Sequence, residues 1–136
     1  FVVGTPCLIE GSTPQERKKL AFEIHSRTSK SIFVDLTGLD SLWNSAMDGL
    51  EDSTLFISSL EELTSTQQDK LKTLLASEEC PLVISATART FAELKSAFEL
   101  SSTLLSSLSQ AHFRLQRPVK EYLEMGFFKL FLESLS

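Results

Sequence analysis

The stretch from Gly11 to Arg17 has the position and part of the pattern of a phosphate-binding loop. It follows the apolar run Cys7–Ile9 and precedes a long amphipathic segment. A working loop reads G-x-x-x-x-G-K-[ST], because its glycines let the backbone approach the phosphates and its lysine pairs with them. Here Gly11 is present, but Glu16 stands at the second glycine and Arg17 at the lysine. The residues that could still contact a phosphate are Gly11, Thr13, Arg17 and Lys18.

Each side chain that could bind a ligand or take part in catalysis can also be explained as a structural or surface residue. The cluster Arg17–Lys19 is typical of a solvated helix face, so a surface arginine is the main expectation at position 17. The alternative is an anion held by Arg17 at a helix N-terminus. His25 and His112 each stand alone, as structural histidines usually do. Asp35 has no identifiable metal partner in the sequence and is expected to be a solvent-exposed loop acid.

The serines and cysteines suggest no nucleophilic or metal chemistry. Ser58 and Ser59 lack a histidine or lysine at a recognisable spacing, and no G-x-S-x-G elbow surrounds them. Cys7 and Cys80 lack partner histidines at zinc-ligand spacing. We therefore expect no metal, and we expect both cysteines to be buried free thiols in a reducing compartment.

Length and composition favour one globular domain. The chain has 136 residues, of which 42% are hydrophobic and 23% charged. Its net charge of −5 argues against direct nucleic-acid binding, which usually needs a basic face. No apolar run approaches the ~20 residues of a membrane helix. The first ten residues lack the features of a signal peptide, so a cytoplasmic location without membrane contact is expected.

Strand-like and helix-like segments alternate along the chain. The predicted strands are TPCLIE, SIFVDL, STLFIS, PLVISAT and AHFRL. The predicted helices are TPQERKKLAFEIHSRT, LDSLWNSAMDGL, TSTQQDKLKTLLASEE, TFAELKSAF, LSSTLLSSLSQ and a segment that begins at Pro118. This alternation predicts an α/β fold with a five-stranded parallel sheet covered by helices on both faces. Ligands of such sheets bind beyond the carboxyl ends of the strands, where the Gly11–Arg17 stretch lies.

Helix-face and capping patterns add detail. Leu20 and Ile24, with Ala21 and Phe22, are expected on the inner face of the first helix. Pro14 is expected in its first turn, and Thr64 is a predicted N-cap with Leu71, Leu74 and Leu75 facing inward. The terminal run Phe127–Leu132 is expected to pack in the core, or alternatively to face a partner. Trp43 and Met47 have the same two interpretations.

Five segments, in order, resemble the central AAA+ domain of sigma-54-dependent transcriptional activators. The first, LIEGSTPQERKKLAFEIH, is similar to the family's LITGESGTGKELVARAIH without gaps. DSTLFISSLEEL is similar to the Walker B strand GGTLFLDEIGEL, and QQDKLKTLLA to LQAKLLRVLQ. PLVISATART is similar to the sensor strand RVIAATNRDL, and SLSQAHFRL to RLNVFPIRL. The resemblance covers residues 5–117 and implies a three-layer α/β/α P-loop NTPase core.

The same resemblance implies that the catalytic groups of the family are missing. Pro14 and Glu16 replace glycines of the phosphate loop, and Arg17 replaces its lysine. The Walker B Asp-Glu pair corresponds to Ser58-Ser59, which removes the carboxylates for magnesium and for the attacking water. The sensor asparagine corresponds to Ala88. The family's trans-acting arginines fall near Ser101 and Ser107, so hydrolysis is not expected.

The family's partner-contacting parts are also reduced. The GAFTGA loop that touches sigma-54 has no counterpart between the second and third strands. We expect residues 1–117 to form the degenerate AAA+ core, and 118–136 to be a C-terminal helix, either a remnant or the start of the lid region. Such domains usually lie between a receiver domain and a DNA-binding domain, which makes a response regulator the expected context.

Three hypotheses follow for function. The first is a non-hydrolysing interaction and signal-relay module of a bacterial transcriptional regulator, without a cofactor. Its partners would be other domains of the same regulator, a second copy, or the transcription machinery. The second is a sensor that holds ATP or ADP without hydrolysis through Gly11, Thr13, Arg17 and Lys18. The third, an active NTPase, requires substitutes for every lost group, and the sequence offers none.

Overall fold

The computed structural model describes residues 5–36, 50–78, 80–96 and 100–126. Within these ranges, the strands and helices follow the predicted order. The strands are β1 (Cys7–Glu10), β2 (Ile32–Asp35), β3 (Ser53–Ile57), β4 (Leu82–Thr87) and β5 (Ala111–Arg114). The helices are α1 (Pro14–Ser26), a 3₁₀ turn (Leu60–Glu62), α2 (Ser65–Leu75), α3 (Phe91–Ser96), α4 (Ser102–Leu108) and α5 (Val119–Met125).

The five strands form one parallel sheet in the order β2-β3-β4-β1-β5. Because all strands run the same way, their carboxyl ends meet at one edge. At that edge Glu10 of β1 lies between Thr87 of β4 and Arg114 of β5. The predicted fold class is confirmed. The carboxyl ends of the strands, where a ligand was expected to bind, lie together at this edge.

Successive side chains of a strand point to opposite faces of the sheet. The strands therefore contribute to two separate hydrophobic cores, one on each face. On one face, Ile9 and Phe113 pack with Leu20 and Ile24 of α1 and with Tyr122 of α5. On the other face, a second cluster combines strand residues with the remaining helices. Its fully buried members are Leu8, Leu55, Leu60, Leu71, Val83, Leu94 and Leu108. The layers are therefore helix, sheet and helix.

Local signals set the helix starts. Thr13 caps α1 by accepting a hydrogen bond from the Glu16 N–H at 3.2 Å, and Pro14 occupies the first turn. Thr64 caps α2 in a reciprocal capping box with Gln67. The Thr64 cap and the position of Pro14 confirm the prediction, whereas Thr13 was expected to contact a phosphate and is a cap instead.

One expected position on the helix faces differs from the prediction. Phe22 was placed on the inner face of α1, but its side chain is 55% exposed. It stands two residues after Leu20, about 200° around the helix, whereas Ala21 and Ile24 share the buried face. Leu74 and Leu75 of α2 face inward as predicted, since both are half-buried and pack against the second cluster.

Several other expectations lie outside the described residues. These are the helix over 39–50 with Trp43 and Met47, and the run Phe127–Leu132. Among the helices of the described ranges, none combines the length and the apolarity that spanning a bilayer requires.

Candidate functional site

The turn between β1 and α1 is only three residues long. Gly11 has φ +93° and Ser12 has φ +58°, after which Thr13 caps the helix. The phosphate-loop pattern needs residues 12–15 as loop, yet Pro14 and Gln15 already belong to α1. Thr13 also accepts two main-chain N–H groups of α1, from Glu16 to its hydroxyl and from Arg17 to its carbonyl. The main-chain N–H groups of Glu16 and Arg17, which a phosphate would need as donors, are therefore already bound within the first turn of α1.

Gly11 is required by packing of the backbone. A Cβ built at this position would lie 2.7 Å from the carbonyl oxygen of Leu115, which follows β5. Its positive φ is a second reason for glycine, since other residues are strained there. Gly11 therefore lets the backbone after β1 pack closely against the backbone after β5.

Arg17 is buried, with 4% of its surface exposed. Its Nη1 donates to the carbonyl oxygens of Gly11 at 3.2 Å and Ser12 at 3.0 Å. Burial lowers the pKa of the Arg17 guanidinium, and the Glu61 carboxylate acts to raise it. The prediction of a surface arginine is wrong, because the side chain folds back over the turn and supplies its carbonyls with donors.

Glu16, which stands at the second glycine of the phosphate-loop pattern, is directed toward α5. Its Oε2 accepts the main-chain N–H of Val119 at 2.7 Å, and its Oε1 lies 3.5 Å from Nζ of Lys19. A carboxylate at the start of α5 satisfies an otherwise orphaned N–H and opposes the positive end of the short helix. Glu16 therefore joins α1 to α5.

Replacing Glu16 with alanine is expected to lower the free energy of unfolding by about 1–2 kcal/mol, because the N–H of Val119 loses its charged acceptor. Chemical denaturation of the full chain measures this loss. Glu16→Gln, which keeps an acceptor oxygen at the same reach, should recover about half of it. An alanine variant as stable as the parent would show that this bond contributes nothing.

The other two predicted phosphate contacts lie in different surroundings. Thr13 is used as the helix cap. Lys18 extends to the end of β2, where its Nζ lies 2.9 Å from Oδ2 of Asp35. Asp35 is thus a half-buried strand-end residue with an ion pair, which corrects the expectation of an exposed loop acid. The structure brings Gly11, Thr13 and Arg17 together and places the Lys18 ammonium against Asp35.

A carboxylate that the sequence analysis missed lies at the carboxyl edge near Arg17. Glu61, in the 3₁₀ turn after β3, accepts a hydrogen bond from the hydroxyl of Thr87. The same hydroxyl accepts the main-chain N–H of Arg89 at 3.0 Å. Glu61 follows the Ser58-Ser59 pair in sequence, and an acid so close to the end of an apolar strand was the available signal.

A second missed carboxylate, Glu10, is buried at the end of β1. Its Oε2 accepts the N–H of Phe91 at 3.0 Å, and its Oε1 lies 3.1 Å from Nε of Arg114. Nε2 of His112 lies 2.9 Å from the same oxygen. The cluster compensates a buried charge and joins β1, β5 and α3. Beside it lies a cavity of about 420 Å³ whose lining includes Gly11, Phe91 and Arg114.

The remaining candidate residues are His25, Cys7 and Cys80, and their surroundings are typical of residues with a structural role. His25 is buried, with Nδ1 2.7 Å from the hydroxyl of Thr54 and its ring 5.4 Å from that of Phe33. Cys7 is a buried free thiol as expected, and burial raises its pKa to about 12. Cys80 is free but only half-buried. Within the described ranges, no group of three or more His, Cys, Asp or Glu side chains is arranged to hold a metal ion.

Comparison with known proteins gives a likeness in structure. No protein-family model matches the chain. No curated protein sequence matches it either. Among solved structures, it is similar to the P-loop NTPase domain of a sigma-54 transport activator from E. coli, with a TM-score of 0.62 and 19% identity. The match covers 82% of this chain and 91% of that one. At this identity the likeness shows a shared fold, that of a P-loop NTPase.

Proposed function

We propose that this chain is a non-hydrolysing interaction and signal-relay domain with a P-loop NTPase fold, in a bacterial transcriptional regulator of the sigma-54 activator type. The sequence resemblance and the structural likeness to a sigma-54 activator domain support the regulator context. Proposed partners are other domains of the same regulator, or the transcription machinery. In such a domain the fold would hold surface residues in position, and those residues would contact the partners.

The observation that carries the proposal is the position of the Arg17 guanidinium. It is buried against the turn and donates to the carbonyls of Gly11 and Ser12. A bound phosphate at this turn would need donors pointing outward, but here the cation is held by the protein itself. Turning the guanidinium outward to meet a phosphate would break these bonds and leave the carbonyls of Gly11 and Ser12 without this donor.

The Walker B and sensor positions support the same proposal. Ser58 and Ser59 stand where the family has its Asp-Glu pair, and neither hydroxyl can replace a magnesium-binding carboxylate. Glu61 is nearby, but it accepts the Thr87 hydroxyl and lies close to the Arg17 charge. These contacts favour a structural role for Glu61.

A second candidate function is nucleotide binding without hydrolysis. It is favoured by the cavity of about 420 Å³ beside Gly11, at the carboxyl ends of the strands, where ligands of this fold class bind. Arg114 at its rim could contribute positive charge. ATP or ADP would then be a structural ligand or a signal.

Calorimetric titration with ATP and ADP, with and without magnesium, distinguishes the two candidates. We expect no saturable heat at millimolar nucleotide and no phosphate release. Saturable binding that Arg17→Ala abolishes would replace the first candidate with the nucleotide sensor. Phosphate release above the buffer rate, lost in the same variant, would contradict both.

A further inference from the structure

Two of the three large apolar side chains that are exposed in the described part of the chain lie in one groove. Phe22 of α1 is 55% exposed and Leu123 of α5 is 41% exposed. Both line a groove of about 570 Å³ between the two helices. The third, Ile32, is 54% exposed on the edge strand β2 and does not line this groove. Apolar surface gathered in a groove is typical of an interaction site.

The walls of the groove are held in place by the fold. Val119 is buried at its base, and the N–H of Val119 is bound by Glu16 of α1 at 2.7 Å. The Phe22 ring packs edge-on against Phe33 at 5.5 Å between centroids. A partner would therefore meet a preformed surface, which reduces the entropy lost on binding.

The rim of the groove is basic. Lys18, Lys19 and Lys120 line it together with one acid, Glu23, and the side chain of Glu23 pairs with Arg27 at 3.0 Å. The chain as a whole carries −5, so this local excess of lysine runs against the average charge.

Each of the three lysines has an intramolecular acid partner: Asp35 at 2.9 Å, Glu16 at 3.5 Å and Glu124 at 4.0 Å. The three lysine side chains remain more than half exposed. Exposed pairs of this kind contribute little to stability, so a partner's carboxylates can replace the intramolecular acids at little cost.

We infer that this groove, defined by Phe22, Leu123 and the three lysines, docks an amphipathic helix with an apolar face and acidic flanks. The part of α1 that lines the groove runs from Gln15 to Glu23, about 12 Å, which matches two to three turns of a bound helix. Apolar anchors at helical spacing would fill the space between Phe22 and Leu123, and glutamates beside them would meet the lysines. This inference rests on the proposed interaction role and gives it a partner chemistry.

Binding of a synthetic peptide to the full chain tests the inference. The probe has about 16 residues, leucines at i, i+3, i+4 and i+7 spacing, and glutamates on both flanks. The control peptide has lysine in place of each glutamate. We expect saturable binding of the acidic peptide, about tenfold weaker binding of the basic one, and weakening of the acidic complex by added salt.

Phe22→Gln and Leu123→Gln should each weaken the acidic complex by about tenfold, because each removes an apolar wall while leaving an exposed helix position filled. Ile32→Thr is the matched control, since it removes exposed apolar surface outside the groove. Thermal unfolding of each variant confirms that the fold is kept. Two variants on different helices protect the test against a local folding defect in one of them.

Several results would overturn the inference. Absence of saturable binding would do so, as would equal binding of both peptides or binding unaffected by the two groove variants. A concentration-dependent dimer lost in both variants would assign the groove to a second copy instead. Phosphate release from ATP, measured on the same preparation, would contradict the proposed function while leaving the docking result to stand by itself.

Discussion

Gly11→Ala is expected to lower the free energy of unfolding by about 3 kcal/mol, the largest effect of any substitution considered for this chain. Two costs add. Alanine is strained at φ +93°, and its Cβ would meet the Leu115 carbonyl oxygen at 2.7 Å. Because that oxygen belongs to the backbone directly after β5, relief requires β1 and the chain after β5 to separate. Urea denaturation followed by circular dichroism measures the loss.

Gly126→Ala is the matched control for this prediction. Gly126 has φ +91°, nearly the same as Gly11, but a Cβ there has no heavy atom within 4 Å. It should lose about 1 kcal/mol from backbone strain alone, so the difference between the variants isolates the contact with Leu115. Equal losses in both variants would show that the contact relaxes without cost and that Gly11 is needed only for its dihedral angle.

Arg17→Met is expected to lower the free energy of unfolding by about 2–3 kcal/mol. Methionine fills much of the volume, but it donates no hydrogen bond to the carbonyls of Gly11 and Ser12. It also removes the cation near Glu61, leaving that carboxylate with the Thr87 hydroxyl. Chemical denaturation of the variant and the parent measures the effect.

Arg17→Lys separates charge from geometry. Lysine keeps the cation and restores the residue type of a working phosphate loop, but its ammonium lacks the planar fork of arginine. We expect it to recover about half of the lost stability and to bind no ATP, because α1 still begins at Pro14. A methionine variant more stable than the parent would mean that desolvation of the guanidinium outweighs its bonds. ATP binding gained by Arg17→Lys would mean that the turn is still a functional phosphate loop.

The secondary-structure elements and the fold class follow from local patterns in the sequence. Apolar runs such as Cys7–Ile9 and helical periodicity such as Leu20 with Ile24 are local signals, and each element has to bury its apolar face against a neighbour. The caps Thr13 and Thr64 are local as well, since the bonds they make reach only three or four residues along the chain. Helices and strands alternating in this way have few arrangements besides a covered parallel sheet.

The contacts of the charged residues, in contrast, depend on how the elements are assembled. Arg17 sits in a run of basic residues that reads as a solvated face, yet it is buried because the three-residue turn leaves two carbonyls for it to satisfy. Glu16 meets the N–H of Val119 across 103 residues, and Glu10 meets Arg114 because β1 lies beside β5. Such partners depend on strand order and helix docking. A pattern along the chain does not show which distant atoms will come within hydrogen-bonding distance, so the burial of these charges depends on the assembled fold.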